Sequence, residues 1–126
     1  MQQSSATDTM GGAFAEALGA KQFDRIAELL HPEIDFRALT PRKFWEASSP
    51  RQVVDEILTT WFDDTDDIRE VMSIESGAFA DREHVAYQFR GETPDGPFVV
   101  EQQAYYTVRD GRIDWMRVLC SGFRPR

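Results

Sequence analysis

The sequence predicts an α+β domain in which helices gathered in the first half pack on one face of a curved antiparallel sheet built from the second half. Apolar residues recur at helical spacing as far as Phe62, and beyond the acidic stretch of residues 63–67 four long segments of strand type are separated by short turn-forming breaks. The length of 126 residues suits a single hydrophobic core.

Residues 1–8 are polar, with no basic region leading into an apolar stretch, and read as a flexible tail before one domain over residues 9–126. Met10, Phe14, Ala17 and Leu18 mark a first helix, with Thr7, Asp8 or Thr9 as its cap and Gly19 as its stop. Phe23, Ile26, Ala27 and Leu30 mark a second, ended at His31 because Pro32 disfavours the helical conformation in the residue before it. Ile34, Phe36 and Ala38 alternate with Asp35, Arg37 and Leu39, which predicts a short strand ended by Pro41. Ser49, Pro50 and Gln52 then supply a cap, a first-turn proline and a capping-box glutamine. They introduce a third helix whose stripe is Val53, Val54, Ile57, Leu58, Trp61 and Phe62. The meander that follows runs over 68–79, 84–92, 98–108 and 112–123, with breaks at 81–83, 94–97 and 109–111 that suit hairpin turns.

Lys and Arg number 14 against 22 Asp and Glu, a net charge of −8, which repels nucleic-acid phosphates and anionic lipid surfaces. Cys120 is the one cysteine, so no disulfide can form within the chain and the cytoplasm is the expected compartment. No apolar run approaches the roughly 20 residues that span a bilayer. His31, Glu33 and Asp35 lie close together, but their spacing matches no familiar metal site, and with two histidines in all no metal centre is expected.

The order helix, helix, short strand, helix and long-stranded meander resembles the nuclear transport factor 2-like superfamily, which includes ketosteroid isomerases, SnoaL-like polyketide cyclases and limonene epoxide hydrolases. The resemblance covers Met10 to Phe123. Its most specific piece is the closing hairpin from Tyr105 to Arg117, built on Asp110-Gly111-Arg112-Ile113. It implies a cone-shaped α+β barrel whose concave sheet face and helices enclose an apolar pocket, a homodimer formed through the outer sheet face, and no cofactor. Counting back from Gly111, the position that resembles the isomerase oxyanion-stabilising acid holds Gln103, with Glu101 and Tyr105 on the same strand face. Counting forward, Met116, Val118 and Cys120 fall on pocket-facing positions. The resemblance has gaps: Phe14 stands where isomerases carry a hydrogen-bonding tyrosine, Ala38 where they carry the proton-moving base, and Val118 where the epoxide hydrolases carry a second acid.

On this reading Glu101, a carboxylate among apolar walls, is the candidate general base, and Gln103 and Tyr105 are the orienting donors. Gln88 and Arg90 share a parity on the neighbouring strand and sit across from Glu101 or Gln103, and Phe14 and Trp45 complete the pocket, Trp45 as a roof. Alternation alone points the other way, since Phe98, Val100, Ala104, Tyr106 and Val108 make the more apolar face and leave Glu101 and Gln103 in solvent. Two functions follow from the two faces. One is a small-molecule pocket, with cofactor-free isomerase, cyclase, dehydratase or hydrolase chemistry on an apolar ligand bearing a polar group. The other is a non-catalytic binding or dimerisation module that pairs the apolar strand face with a copy of itself.

Overall fold

The computed structural model describes residues 9–125. Two helices open the chain, α1 (Met10–Gly19) and α2 (Phe23–Leu29). The Thr9 side chain caps α1 by accepting the Gly12 N–H at 2.9 Å, satisfying one of the donors that a helix start leaves free. Strands β1 (Leu30–Thr40) and β2 (Lys43–Ala47) follow. The third helical segment, α3, runs through Pro50–Gln52, a π-helical stretch Val53–Leu58 and Thr59–Trp61. Ser49 caps it by accepting the Gln52 N–H, and the Gln52 side chain reaches back to the Ser48 N–H, one residue earlier than the usual capping box. The remainder is β3 (Asp67–Phe79), β4 (Arg82–Thr93), β5 (Gly96–Arg109), β6 (Arg112–Cys120) and the short β7 (Arg124–Pro125).

The strands form one sheet in the order β2-β1-β6-β5-β4-β3, with β7 beside β5. It is mixed rather than wholly antiparallel, because β1 runs parallel to β6. The α+β class, the three helices and the four-stranded meander match the expectation from sequence. Two local differences have plain causes. Pro32 ends α2 as expected, but the strand begins at once, and its pairing with β6 shifts between Leu30 and Asp35 where the proline can donate no ladder hydrogen bond. Strand β2 was not expected: its Phe44, Trp45 and Glu46 lack apolar alternation because it is an edge strand with mostly exposed side chains. The expected tail over residues 1–8 lies outside the described residues.

The helices cover one sheet face, which buries Phe36 and Ala38 of β1, Val85, Tyr87 and Phe89 of β4, Ala104 and Tyr106 of β5, and Met116 and Val118 of β6. Helix α1 is drawn close to the sheet, where the Gly11 N–H donates to the Tyr106 hydroxyl at 2.8 Å. A Cβ at Gly11 would come within 2.6 Å of the Tyr106 ring, so the contact needs glycine.

The orientation of β5 corrects the reading that placed Glu101, Gln103 and Tyr105 in the pocket. All three are exposed on the outer face, whereas Phe98, Val100, Gln102, Ala104 and Tyr106 point under the helices; Tyr106 is 0% exposed against 41% for Tyr105. The cause is one residue. The turn pairs Arg109 with Arg112 and Val108 with Ile113, and that register, if continued, would set Gln103 beside Val118. Instead Thr107 pairs with Trp115, leaving Asp114 as an extra residue on β6. From there Tyr106 pairs with Met116, Ala104 with Val118 and Gln102 with Cys120. Met116 and Val118 therefore keep the inward orientation expected of them, and the partner strand is turned over. The Asp114 carboxylate anchors the bulge, accepting the Thr107 hydroxyl at 2.5 Å with Arg109 Nε at 3.6 Å.

Candidate functional site

Reversing β5 exchanges one polar set for another. Gln102, flanked on its own face by Val100 and Ala104, is the one buried polar side chain among the described residues, at 1% exposed. A buried primary amide must find partners for both ends. Its Oε1 accepts the Tyr87 hydroxyl at 2.6 Å, and its Nε2 donates to Cys120 Sγ at 3.3 Å. The sulfur also accepts the Gly122 N–H at 3.3 Å. Tyr87 is stacked on Phe89 at 5.2 Å, and burial pushes its hydroxyl well above the usual phenol range, so it stays protonated and donates.

Gln102, Cys120 and Gly122 border a cavity of about 160 Å³ at the end of the sheet, between the last turn of α3 and the C-terminal strands. Thr40, Trp61, Phe62 and Phe123 supply the rest of its wall, with Gln102, Cys120 and Gly122. Phe62 packs edge-on to Phe89 and obliquely on Phe123, which stacks on Phe98 at 4.1 Å, so aromatic rings close one side. On the other, Trp61 meets Trp45 edge-on at 5.9 Å, and Trp45 Nε1 donates to Thr40 Oγ1 at 2.9 Å. Trp61 Nε1 is buried and has no acceptor among the described residues.

Among the described residues the wall carries no Asp, Glu, Lys, Arg or His, and Cys120 is its one titratable group. Its polar atoms are biased toward donation: an indole N–H lacking an acceptor, and an amide whose nitrogen end lies beside Cys120. The Thr40 hydroxyl is occupied by the Trp45 N–H and by the Lys43 carbonyl, to which it donates at 3.2 Å.

Of the residues singled out from sequence, Cys120 lines this cavity. Phe14, Met116 and Val118 are core residues that do not border it, and Trp45 stands behind Trp61 and Thr40 as a buttress rather than a roof. Gln88 does lie across from Glu101, donating to its carboxylate at 2.9 Å, but on the outer face; Arg90 pairs there with Glu70. Such exposed pairs contribute at most about 1 kcal/mol. Gln102 and Trp61 were not foreseen as site residues. The signal for Gln102 is a single polar residue inside the apolar alternation Phe98, Val100, Ala104, Tyr106.

Larger depressions exist, but among the described residues none is lined by a buried polar side chain. The groove of about 590 Å³ beside β1 and β2 is bordered by solvent-exposed charges such as Glu33, Asp35, Arg37 and Glu46. No helix among the described residues is long and apolar enough to cross a membrane.

Comparison with known proteins places this architecture. No curated protein matches the chain. Among solved structures, a candidate isomerase from Rhodopseudomonas palustris superposes with a TM-score of 0.70 at 15% identity, covering 96% of this chain and 93% of that one. A candidate polyketide cyclase from Xanthomonas campestris pv. campestris gives 0.68 at 20% identity, covering 90% and 88%. An LEH-like epoxide hydrolase from M. tuberculosis gives 0.62 at 17% identity, covering 86% and 77%. At these identities the likeness concerns the fold. The family model for the SnoaL-like domain matches residues 12–116. The chain belongs to the SnoaL-like domain family, within the nuclear transport factor 2-like superfamily.

Proposed function

We propose that this protein binds a small, neutral, largely apolar molecule through a carbonyl-type oxygen, which accepts hydrogen bonds from Trp61 Nε1–H and the Gln102 amide. The observation that carries this reading is the Trp61 N–H, which is buried, belongs to a residue of the cavity wall and has no acceptor among the described residues. A buried donor left unpaired costs about 1–3 kcal/mol, and a guest oxygen that reaches it through a small rotation of the ring recovers that cost. A charged carboxylate is disfavoured, because no cation among the described residues lines the wall to offset its desolvation. The volume of about 160 Å³ is close to that of an apolar cavity known to hold benzene, about 150 Å³, so a ring of five or six atoms fits. General acid-base catalysis by Glu101 is not part of the proposal, since its carboxylate lies on the opposite sheet face; binding, rather than proton transfer, is what the wall supports.

Cyclopentanone is a suitable probe. In a 1H–15N titration the indole resonance of Trp61, identified by its loss in Trp61→Phe, is expected to move along with the Gln102 side-chain amide. Trp61→Phe and Gln102→Leu should each weaken binding roughly tenfold, the effect of about one hydrogen bond to a buried donor. Equal affinity for cyclopentanone and methylcyclopentane would contradict the reading.

We also propose that the chain forms a homodimer through the outer sheet face. The face expected to do so from sequence is not available, because Phe98, Val100, Ala104 and Tyr106 are buried within the protein. In its place Phe44, Leu39 and Leu119 form an exposed apolar row across β2, β1 and β6 that continues to Gln103. Arg37 and Arg117 flank the row on one side and Glu101 on the other. A two-fold axis along the row sets the basic flank of one copy against Glu101 of the next, which supports self-association. Sedimentation should show a dimer that Leu119→Glu dissociates; a wild-type monomer at tens of micromolar would end this proposal.

A further inference from the structure

We infer that Tyr87, which does not itself line the cavity, sets which kind of ligand the cavity accepts by fixing the orientation of the Gln102 amide. The inference rests on the reading that the cavity is a ligand site. A primary amide has nearly the same shape when its oxygen and nitrogen are exchanged, so its neighbours decide which end faces which way. At Gln102 the neighbours differ. On one side stands the Tyr87 hydroxyl, 2.6 Å from Oε1, in a side chain 1% exposed; on the other stands Cys120 Sγ, 3.3 Å from Nε2, in the cavity wall. With the hydroxyl held protonated by burial, the observed orientation pairs its hydrogen with the amide oxygen.

Turning the amide over would point an N–H at the hydroxyl and leave the buried O–H hydrogen without the acceptor it now has. A buried donor stranded in this way costs about 1–3 kcal/mol, so the turned form is a minor one. The nitrogen end is thereby kept on the side of Cys120 and the cavity, whose wall also includes the donor-only indole of Trp61. Both polar groups then favour ligands that accept. Removing the tyrosine hydroxyl deletes the one contact that distinguishes the two ends strongly, since a thiol accepts and donates only weakly. Tyr87 is a positioning residue in this scheme, and its effect is on ligand preference rather than on binding as such.

The test compares cyclopentanone, which only accepts, with pyrrole, a five-membered ring whose N–H only donates. Binding of each is measured by 1H–15N titration to wild type, Tyr87→Phe and Gln102→Leu. The wild type is expected to prefer cyclopentanone over pyrrole by a larger factor than Gln102→Leu does, and Tyr87→Phe should lower the wild-type ratio roughly tenfold. A wild-type ratio retained in Tyr87→Phe would overturn the inference. If neither probe moves the Trp61 indole resonance in the wild type, the ligand site itself has failed, which is a separate outcome from a changed ratio. Should Tyr87→Phe not fold, the wild type still decides the matter. Through-space contacts from the Gln102 amide hydrogens to the Cys120 β-hydrogens support the fixed orientation, and contacts from them to the Tyr87 hydroxyl side instead refute it.

Discussion

Deleting Asp114 and Asp114→Ala are both expected to leave the protein folded, with β5 in its present orientation and stability lowered by about 1–2 kcal/mol. The substitution removes a charge-assisted hydrogen bond from Thr107 and the nearby Arg109 guanidinium but keeps the extra residue. The deletion also removes the residue itself, and the regular ladder that results keeps Val108 beside Ile113, Thr107 beside Trp115, Tyr106 beside Met116 and Ala104 beside Val118. No buried side chain then has to turn to water. Were the extra residue instead required for this pairing, its deletion would take Tyr106 and Ala104, or Met116 and Val118, out of the core at about 1.5–3 kcal/mol per large side chain, which approaches the whole stability of a domain this size, about 5–15 kcal/mol. The turn holds this register in place. Asp110 and Gly111 both hold positive φ, 55° and 75°, the pair that a tight two-residue hairpin turn requires and that the neighbouring Arg109 and Arg112 do not supply. Urea unfolding followed by circular dichroism would measure both variants. A deletion variant that fails to fold would remove the explanation given for the orientation of β5.

Gly91→Ala is expected to cost about 3 kcal/mol or more. A Cβ placed at Gly91 would lie 1.9 Å from the Asp67 carbonyl oxygen and 2.9 Å from its carbon. The obstacle is main chain, so no side-chain rotation relieves it, and β3 would have to move away from β4 where its irregular pairing begins. Gly77, on the same β3–β4 ladder, provides the control: no atom lies within 4 Å of its added Cβ, so Gly77→Ala should be neutral or stabilising by a few tenths of a kcal/mol. Thermal unfolding of the two variants would separate them by at least several degrees. Equal melting temperatures would contradict the close approach of the two strands.

The fold was legible because its signals are local. Thr9, Ser49 and Pro50 mark helix starts, the stripes Phe14-Ala17-Leu18 and Val53-Ile57-Leu58 mark buried helix faces, and Asp110-Gly111 marks the last hairpin. The site was legible only in part, because a strand face is a matter of parity and parity is lost at a single bulge. Counting from the turn and reading the apolar alternation gave opposite faces for β5. The alternation was right, since burial acts along the whole strand, whereas the count assumed an unbroken ladder past Asp114. Trp61 was placed with the core, and its ring is indeed packed against Phe36 and Trp45. That its N–H lacks an acceptor depends on where Thr40, Phe123 and Gln102 arrive in space, which no local pattern encodes.

The most direct test of the account is a crystal structure grown with cyclopentanone. The ring is expected between Trp61, Phe62 and Phe123, with its oxygen within about 3.2 Å of Trp61 Nε1 or Gln102 Nε2. A ketone lying instead on the outer face against Glu101, Gln103 and Tyr105, with the cavity beneath α3 unfilled, would contradict it.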